Sequence, residues 1–223
     1  MSQELVVVVA GGPPPSPRAA LGVPLDALVV AAAGGVEPAA ALGLRTAVAV
    51  GDFDSAAPEA VAEAEVAGAR IERHPVAKDA SDLELALEAA LRLHPRRVLV
   101  LAGEGGRLDH LLSTLLLLGS ERWAGPDLDA EIGAARVHVI REERSLAGRV
   151  GELISLFALH GPAEGVRTEG LEYPLRGEEL RPGSSRGLSN AFVAQEARIS
   201  VERGVLLAVR PDPDHGGGDC SWP

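Results

Sequence analysis

The stretch Thr46–Ser55 reads Thr-Ala-Val-Ala-Val-Gly-Asp-Phe-Asp-Ser. Its first half is a short apolar β run; its second half breaks into a glycine turn carrying two carboxylates, Asp52 and Asp54. A strand this short and this uniformly apolar suits a parallel sheet covered on both faces. The pattern repeats on either side. Leu5–Ala10, Ala27–Ala32, Ala69–Arg73 and Val98–Ala102 are further β runs, separated by Ala-, Leu- and Glu-rich stretches of helical character. The clearest of these is Asp82–Leu93, where Leu83, Leu87 and Leu91 recur every four residues and predict one apolar stripe. Strands alternating with helices up to about residue 135 predict an α/β domain on a parallel sheet.

Beyond residue 135 the texture changes to short alternating runs, Arg136–Ile140, Glu152–Leu159, Ala197–Val201 and Val205–Val209, punctuated by Gly161-Pro162 and Pro182-Gly183 turns. This predicts a small antiparallel β domain. The domain reading is therefore 1–135 and 136–212, with 213–223 a flexible Gly- and Pro-rich tail.

Composition excludes several functions. The 223 residues are 46% hydrophobic, enough for a core, and the net charge is −11, from 21 bases against 32 acids. Nucleic-acid recognition needs a basic footprint and, for single strands, stacking rings; this chain has neither the charge nor, with six aromatics, the rings. One cysteine, Cys220, allows no intrachain disulfide and no cysteine-rich metal cluster. The apolar run Leu5–Ala10 is too short for an export signal or a membrane span, so a cytoplasmic protein with no membrane partner is expected. The single lysine, Lys78, is followed by Asp79, which excludes a Walker A loop.

Three turns carry chemistry. In Gly51-Asp52-Phe53-Asp54-Ser55, two carboxylates at the carboxyl end of a parallel strand face the crevice where open α/β sheets bind ligands, and together they suit Mg²⁺. The bland alternative is a polar turn capping the helix that starts near Pro58. In Lys78-Asp79-Ala80-Ser81-Asp82, Asp79 and Asp82 join that acidic cluster and Lys78 screens phosphate charge; alternatively, Ser81 and Glu84 form a capping box. In Gly103-Glu104-Gly105-Gly106-Arg107-Leu108-Asp109-His110, Gly105 and Gly106 bring backbone N–H groups to an anion and Arg107 forks onto phosphate oxygens. Here the alternative is a tight turn with Arg107–Asp109 as a surface pair, and His110 reads as a packing or helix contact. All three turns follow strands of one sheet, with Gly11-Gly12 as a fourth, so they open on one edge.

In this order, with Ser155-Leu156, Gly170-Leu171-Glu172-Tyr173-Pro174-Leu175 and Ser189-Asn190 in the second half, the motifs resemble those of the thiamine pyrophosphokinase family over nearly the whole chain. The resemblance implies a three-layer α/β/α, Rossmann-like catalytic domain with a mostly parallel sheet, followed by a β-sandwich. It implies a homodimer whose active sites lie between the catalytic domain of one subunit and the β domain of the other. It also implies transfer of diphosphate from ATP to the hydroxyl of thiamine, giving thiamine diphosphate and AMP with Mg²⁺. By motif match, Asp52, Asp54 and Asp82 carry the metal and phosphates with Asp79 beside them. Arg107 and Asp109 contact ATP, Ser189 and Asn190 contact thiamine, and Phe192 is a candidate stacking ring. Two positions depart from the family pattern: Ala33 stands where an acid is usual, with Glu37 as a possible substitute, and Ala191 stands where Glu commonly follows Ser-Asn. These departures motivate a silent thiamine- or nucleotide-binding protein as the alternative function. An aspartate-nucleophile phosphatase is disfavoured, since its Asp-x-Asp pair follows the first strand and here the pair follows the third.

Overall fold

β1 (Gln3–Val9) contains four consecutive valines, Val6–Val9, none of them accessible to solvent. Successive side chains on a strand point to opposite faces, so burial at every position requires cover on both sides. A computed structural model describes residues 3–211 of the chain; residue 212 and the tail expected at 213–223 lie outside the described residues. After β1 come β2 (Leu28–Ala32), α1 (Val36–Ala41), β3 (Thr46–Gly51), α2 (Pro58–Val66), β4 (Arg70–Arg73), α3 (Asp82–Leu91), β5 (Pro95–Ala102), α4 (Leu108–Leu118) and β6 (Asp127–Ile132). The second half contains β7 (Ala135–Ile140), β8 (Glu143–Ala147), β9 (Leu153–Glu169), β10 (Arg176–Leu180), β11 (Asn190–Ala191), β12 (Glu196–Ser200) and β13 (Arg203–Arg210). The result is a mixed α/β fold. No helix among the described residues is long and apolar enough to cross a membrane.

The chain divides into two compact units. The first comprises the residues up to Leu117 together with Gly125–Gly133; the second comprises Leu118–Ala124 and the residues from Ala134 onward. In the first, strands lie in the order β4-β3-β2-β1-β5-β6, and all five pairings are parallel. Val7 sits opposite Val29 on one side and Leu99 on the other. Val7, Val9, Val29 and Leu101 share a core with Ala39 of α1, while Ala31, Ala49, Phe53 and Val61 form a neighbouring one. The strand order reverses between β1 and β5, and such a switch point opens a crevice at the carboxyl ends of the strands.

Two readings need correction within this unit. Of the predicted leucine stripe on α3, only Leu87 is fully buried; the buried face is Leu85, Ala86, Leu87, Ala89 and Ala90. Alanines bring the helix axis close to the sheet, and the larger leucines at 83 and 91 are left at the margins. The sixth strand, β6, was absent from the sequence reading because Asp-Leu-Asp-Ala-Glu-Ile carries three acids. One of them, Asp129, is buried and accepts from Arg97 Nε at 2.8 Å.

The second unit is antiparallel throughout, with β7-β13-β9-β12-β8 in order and β10 and β11 also on β9. Its core includes Ile140, Ile154, Leu156, Phe192, Ile199 and Leu206. The turn expected at Pro182-Gly183 is present: Gly183 has φ +80° and the Ser184 amide donates to the Arg181 carbonyl at 3.1 Å. Gly161-Pro162 is different. β9 runs through it without reversing, bending at His160 (φ +58°) as it passes from β13 to β10 and β12. Proline lacks the donor a regular ladder needs and is tolerated at such a bend.

Candidate active site

The acidic turn after β3 is shaped by its two odd backbone positions. Gly51 has φ +146°, and a Cβ there would lie 2.7 Å from Asp82 Oδ1 and 2.8 Å from the Ala33 Cβ. Only glycine lets the first turn of α3 and the turn after β2 approach this closely. Phe53 takes φ +61°, an uncommon conformation for a non-glycine residue, and its ring is held in the core under the Arg73 guanidinium, 5.2 Å from the ring centroid. The Asp54 amide donates to Asp52 Oδ1 at 3.2 Å, fixing the Asp52 carboxylate by a local side-chain turn.

Lys78 joins this turn to α3. Its ammonium donates to Asp52 Oδ2 and forms an ion pair with Asp82 Oδ1 at 3.0 Å. Asp82 Oδ1 is buried, and the Lys78 ammonium is its charged neighbour. The Lys78 hydrogen bond, helped by the Asp54 amide, holds the Asp52 carboxyl below the usual carboxylate range. Burial pushes the Lys78 ammonium down, but its attraction to Asp52 and Asp82 outweighs this and leaves it raised. Ser81 caps α3, its Oγ accepting from the Glu84 amide at 3.2 Å, which is the Ser81 half of the expected capping box. That cap leaves the Asp82 side chain free of the helix terminus. Asp54 and Asp79 are exposed. Among the described residues no group of three His, Cys, Asp or Glu side chains is arranged to hold a metal ion; the loops assemble a pair, Asp52 and Asp82, with an ammonium shared between them.

Asp82 also lines a cleft of about 510 Å³ at the switch point. Gly11 and Gly12 after β1, and Ala33 and Gly34 after β2, form one wall; Gly105, Gly106 and Arg107 before α4 form another. Arg107 is held by Asp109 through two contacts, Nε to Oδ1 at 3.1 Å and Nη2 to Oδ2 at 2.6 Å. The guanidinium pulls the Asp109 carboxyl down to about 2. Both side chains are largely exposed and screened by solvent, so Arg107 can trade Asp109 for another anion at small cost.

Sequence reasoning missed part of this cleft. His110 is exposed and lines it, rather than packing inside, and Ser113, Thr114 and Leu117 line the same wall. Helical spacing from Arg107 was the signal: residues three, seven and ten positions on share its face. Glu37 is not among the residues lining the cleft. Its Oε2 instead accepts from the Ala57 amide, 3.4 Å away, just before α2.

In the second unit three motifs meet. The Ser189 amide donates to Ser155 Oγ at 3.0 Å, with Ser189 at φ +55°, and the Leu156 amide donates to the Gly187 carbonyl at 2.8 Å. Asn190 is buried, and its side-chain amide is committed to backbone. Oδ1 accepts from the Tyr173 and Ala191 amides, both at 2.9 Å, and Nδ2 donates to the Tyr173 carbonyl at 2.8 Å. Asn190 therefore positions the Tyr173 turn. Phe192 cannot be a stacking surface, since it is 1% exposed and lies inside the core beneath the Arg210 guanidinium. The exposed ring beside Asn190 is Tyr173.

Comparison with known proteins places both units. Residues 25–124 match the family model described as thiamin pyrophosphokinase, catalytic domain, and residues 136–206 the one described as thiamin pyrophosphokinase, vitamin B1 binding domain. A thiamine pyrophosphokinase of Bacillus subtilis is 26% identical over 172 residues, covering 73% of this chain and 77% of its own length. Among solved structures, a thiamine pyrophosphokinase from Bacillus subtilis superposes with TM-score 0.80 at 23% identity, covering 94% of this chain and 99% of that one. One from Geobacillus thermodenitrificans does so with TM-score 0.78 at 23% identity, covering 96% and 100%. One from Candida albicans shares the fold at 13% identity, with TM-score 0.75 and 94% and 90% covered. Two family models matched in order along one chain, over residues that include the Asp52–Lys78–Asp82 cluster and the Asn190 turn, show that it belongs to the thiamine pyrophosphokinase family.

Proposed function

We propose that this chain transfers a diphosphate group from ATP to the hydroxyl of thiamine, giving thiamine diphosphate and AMP, with Mg²⁺. The observation that carries this reading is the Asp52/Asp82 pair around one ammonium, with Asp82 lining the switch-point cleft. The donor set fits the metal. Mg²⁺ is commonly bound by one or two carboxylates with substrate phosphates and waters completing its shell, and Asp52 and Asp82 already bring two carboxylates to one cation. When bound, Mg²⁺ supplies positive charge that screens the polyphosphate and stabilises charge developing on its oxygens.

In this reading Asp52 and Asp82 would hold the metal directly, with Asp54 on the same turn and Asp79 beside them completing the acidic cluster. Lys78 neutralises phosphate charge. The Gly105 and Gly106 amides hold phosphate oxygens, and Arg107 exchanges its Asp109 partner for the nucleotide. Ser189 and Asn190, through the Tyr173 turn, shape the thiamine side. Alignment and charge stabilisation are sufficient for attack by the thiamine hydroxyl on the β-phosphorus, so no covalent enzyme nucleophile is required.

The finer architecture belongs to the same proposal: residues 1–135 as a three-layer α/β/α catalytic domain and residues 136–212 as a thiamine-binding β-sandwich. Burial of β1 on both faces supports the first and the antiparallel ladders support the second. Membership of the family supports reading the protein as a cytoplasmic homodimer with shared active sites. Incubation with ATP, Mg²⁺ and thiamine tests the function: AMP and thiamine diphosphate should appear in equal amounts. Binding of either substrate without turnover would instead establish the silent protein that Ala33 and Ala191 motivate.

A further inference from the structure

The cation that Asp52 and Asp82 share is supplied by the chain itself. The Lys78 ammonium sits between them, on a side chain only 14% exposed, and the two acids come from different elements, the turn after β3 and the first turn of α3. The lysine is thus the tie between them. A divalent ion that prefers oxygen ligands competes with the ammonium for the two carboxylates, since cations a few ångströms apart repel strongly away from bulk water.

We propose that Lys78 is an internal counter-cation, which must leave Asp52 and Asp82 before Mg²⁺ is held there, and which does so most readily when a polyphosphate offers its ammonium a new partner. The proposal rests on the reading of Asp52 and Asp82 as the metal-holding pair. It makes the empty protein a poor binder of free Mg²⁺ and makes nucleotide and metal reinforce each other's binding, a coupling that is reciprocal by thermodynamic necessity. No bond is made or broken; an ammonium changes anions.

Lys78 is the only lysine of the chain, so protein grown with lysine labelled at ¹⁵Nζ gives a single side-chain signal. Mg²⁺ is titrated without nucleotide and then with a non-hydrolysable ATP analogue, with calorimetry on the same samples. At saturating Mg²⁺ the Lys78 signal should shift or broaden as the ammonium leaves its partners. The analogue should lower the Mg²⁺ concentration required by about tenfold. In Lys78→Met, nucleotide-free Mg²⁺ affinity should tighten by about tenfold and the coupling should shrink. A Lys78 signal that stays in place at Mg²⁺ saturation overturns the proposal, as does a folded Lys78→Met that binds Mg²⁺ no more tightly. If Lys78→Met does not fold, the wild-type titration decides alone. Calorimetry that detects no Mg²⁺ binding with or without the analogue refutes the metal-holding pair itself, and with it the proposed function. Binding that leaves Lys78 unmoved refutes only the exchange.

Discussion

Gly51 concentrates the demands of the site in one residue. A methyl group there meets Asp82 Oδ1 and the Ala33 Cβ well inside contact distance, and φ +146° strains any side chain. Gly51→Ala should cost about 1–3 kcal/mol by chemical denaturation and displace Asp82 from Lys78. Asp52 makes a pH prediction of definite sign. Its carboxyl is held below the ordinary value of 3.8, so its contribution to stability is complete above that value and is lost as pH falls through the lower, folded value. The stability gap between wild type and Asp52→Asn should therefore be flat near neutrality and close in acid below about pH 3.8, followed by urea midpoints across the range. The acids at 52 and 82 were legible in the sequence because each lies in a turn that follows a strand of the parallel sheet, where such turns gather on one edge. That Lys78 stands between them was not, since spacing along a chain does not say which counter-charge a folded carboxylate meets.

At the scale of elements, the strands of the first unit could be read from runs such as Val6–Val9, whose burial on both faces leaves no polar positions to confuse the pattern. β6 and the second half of β9 could not. The first hides its buried Asp129 behind an Arg97 contact, and the second bends through a Gly-Pro pair that in isolation signals reversal. The turn motifs of the second unit were visible as motifs but not in their roles. Asn190 looks like a ligand contact, yet its side chain is committed to the backbone around Tyr173. Asn190→Ala should leave these groups unpaired, cost about 1–3 kcal/mol and raise KM for thiamine while leaving that for ATP unchanged, as steady-state kinetics can resolve. A buried ion pair was invisible to pattern reading. Arg210 Nε donates to Glu152 Oε1 at 2.6 Å, with both side chains under 10% exposed, and the guanidinium lies over Phe192. Glu152→Ala strands a buried charge and should destabilise the fold by about 3–5 kcal/mol, measured by denaturant unfolding.

For the whole molecule, the chain divides into two units that the sequence already separates by texture: apolar strands alternating with helices first, then short antiparallel runs. Gly-rich and acidic turns gather at the switch between β1 and β5 because the parallel topology brings the carboxyl ends of neighbouring strands to one edge. That convergence is what allowed residues as far apart as Gly11, Asp82 and Arg107 to be assigned to one place. The α4 face bearing His110 and Thr114 escaped notice because its chemistry is spread along a leucine-rich helix. The central claim is that this site moves two phosphoryl groups together from ATP to thiamine. It is tested most directly by supplying ATP labelled at the β-phosphorus with Mg²⁺ and thiamine, and following the label. The account predicts that all transferred label appears in thiamine diphosphate and none in the AMP formed beside it. Label recovered in ADP, alongside thiamine monophosphate, would contradict it.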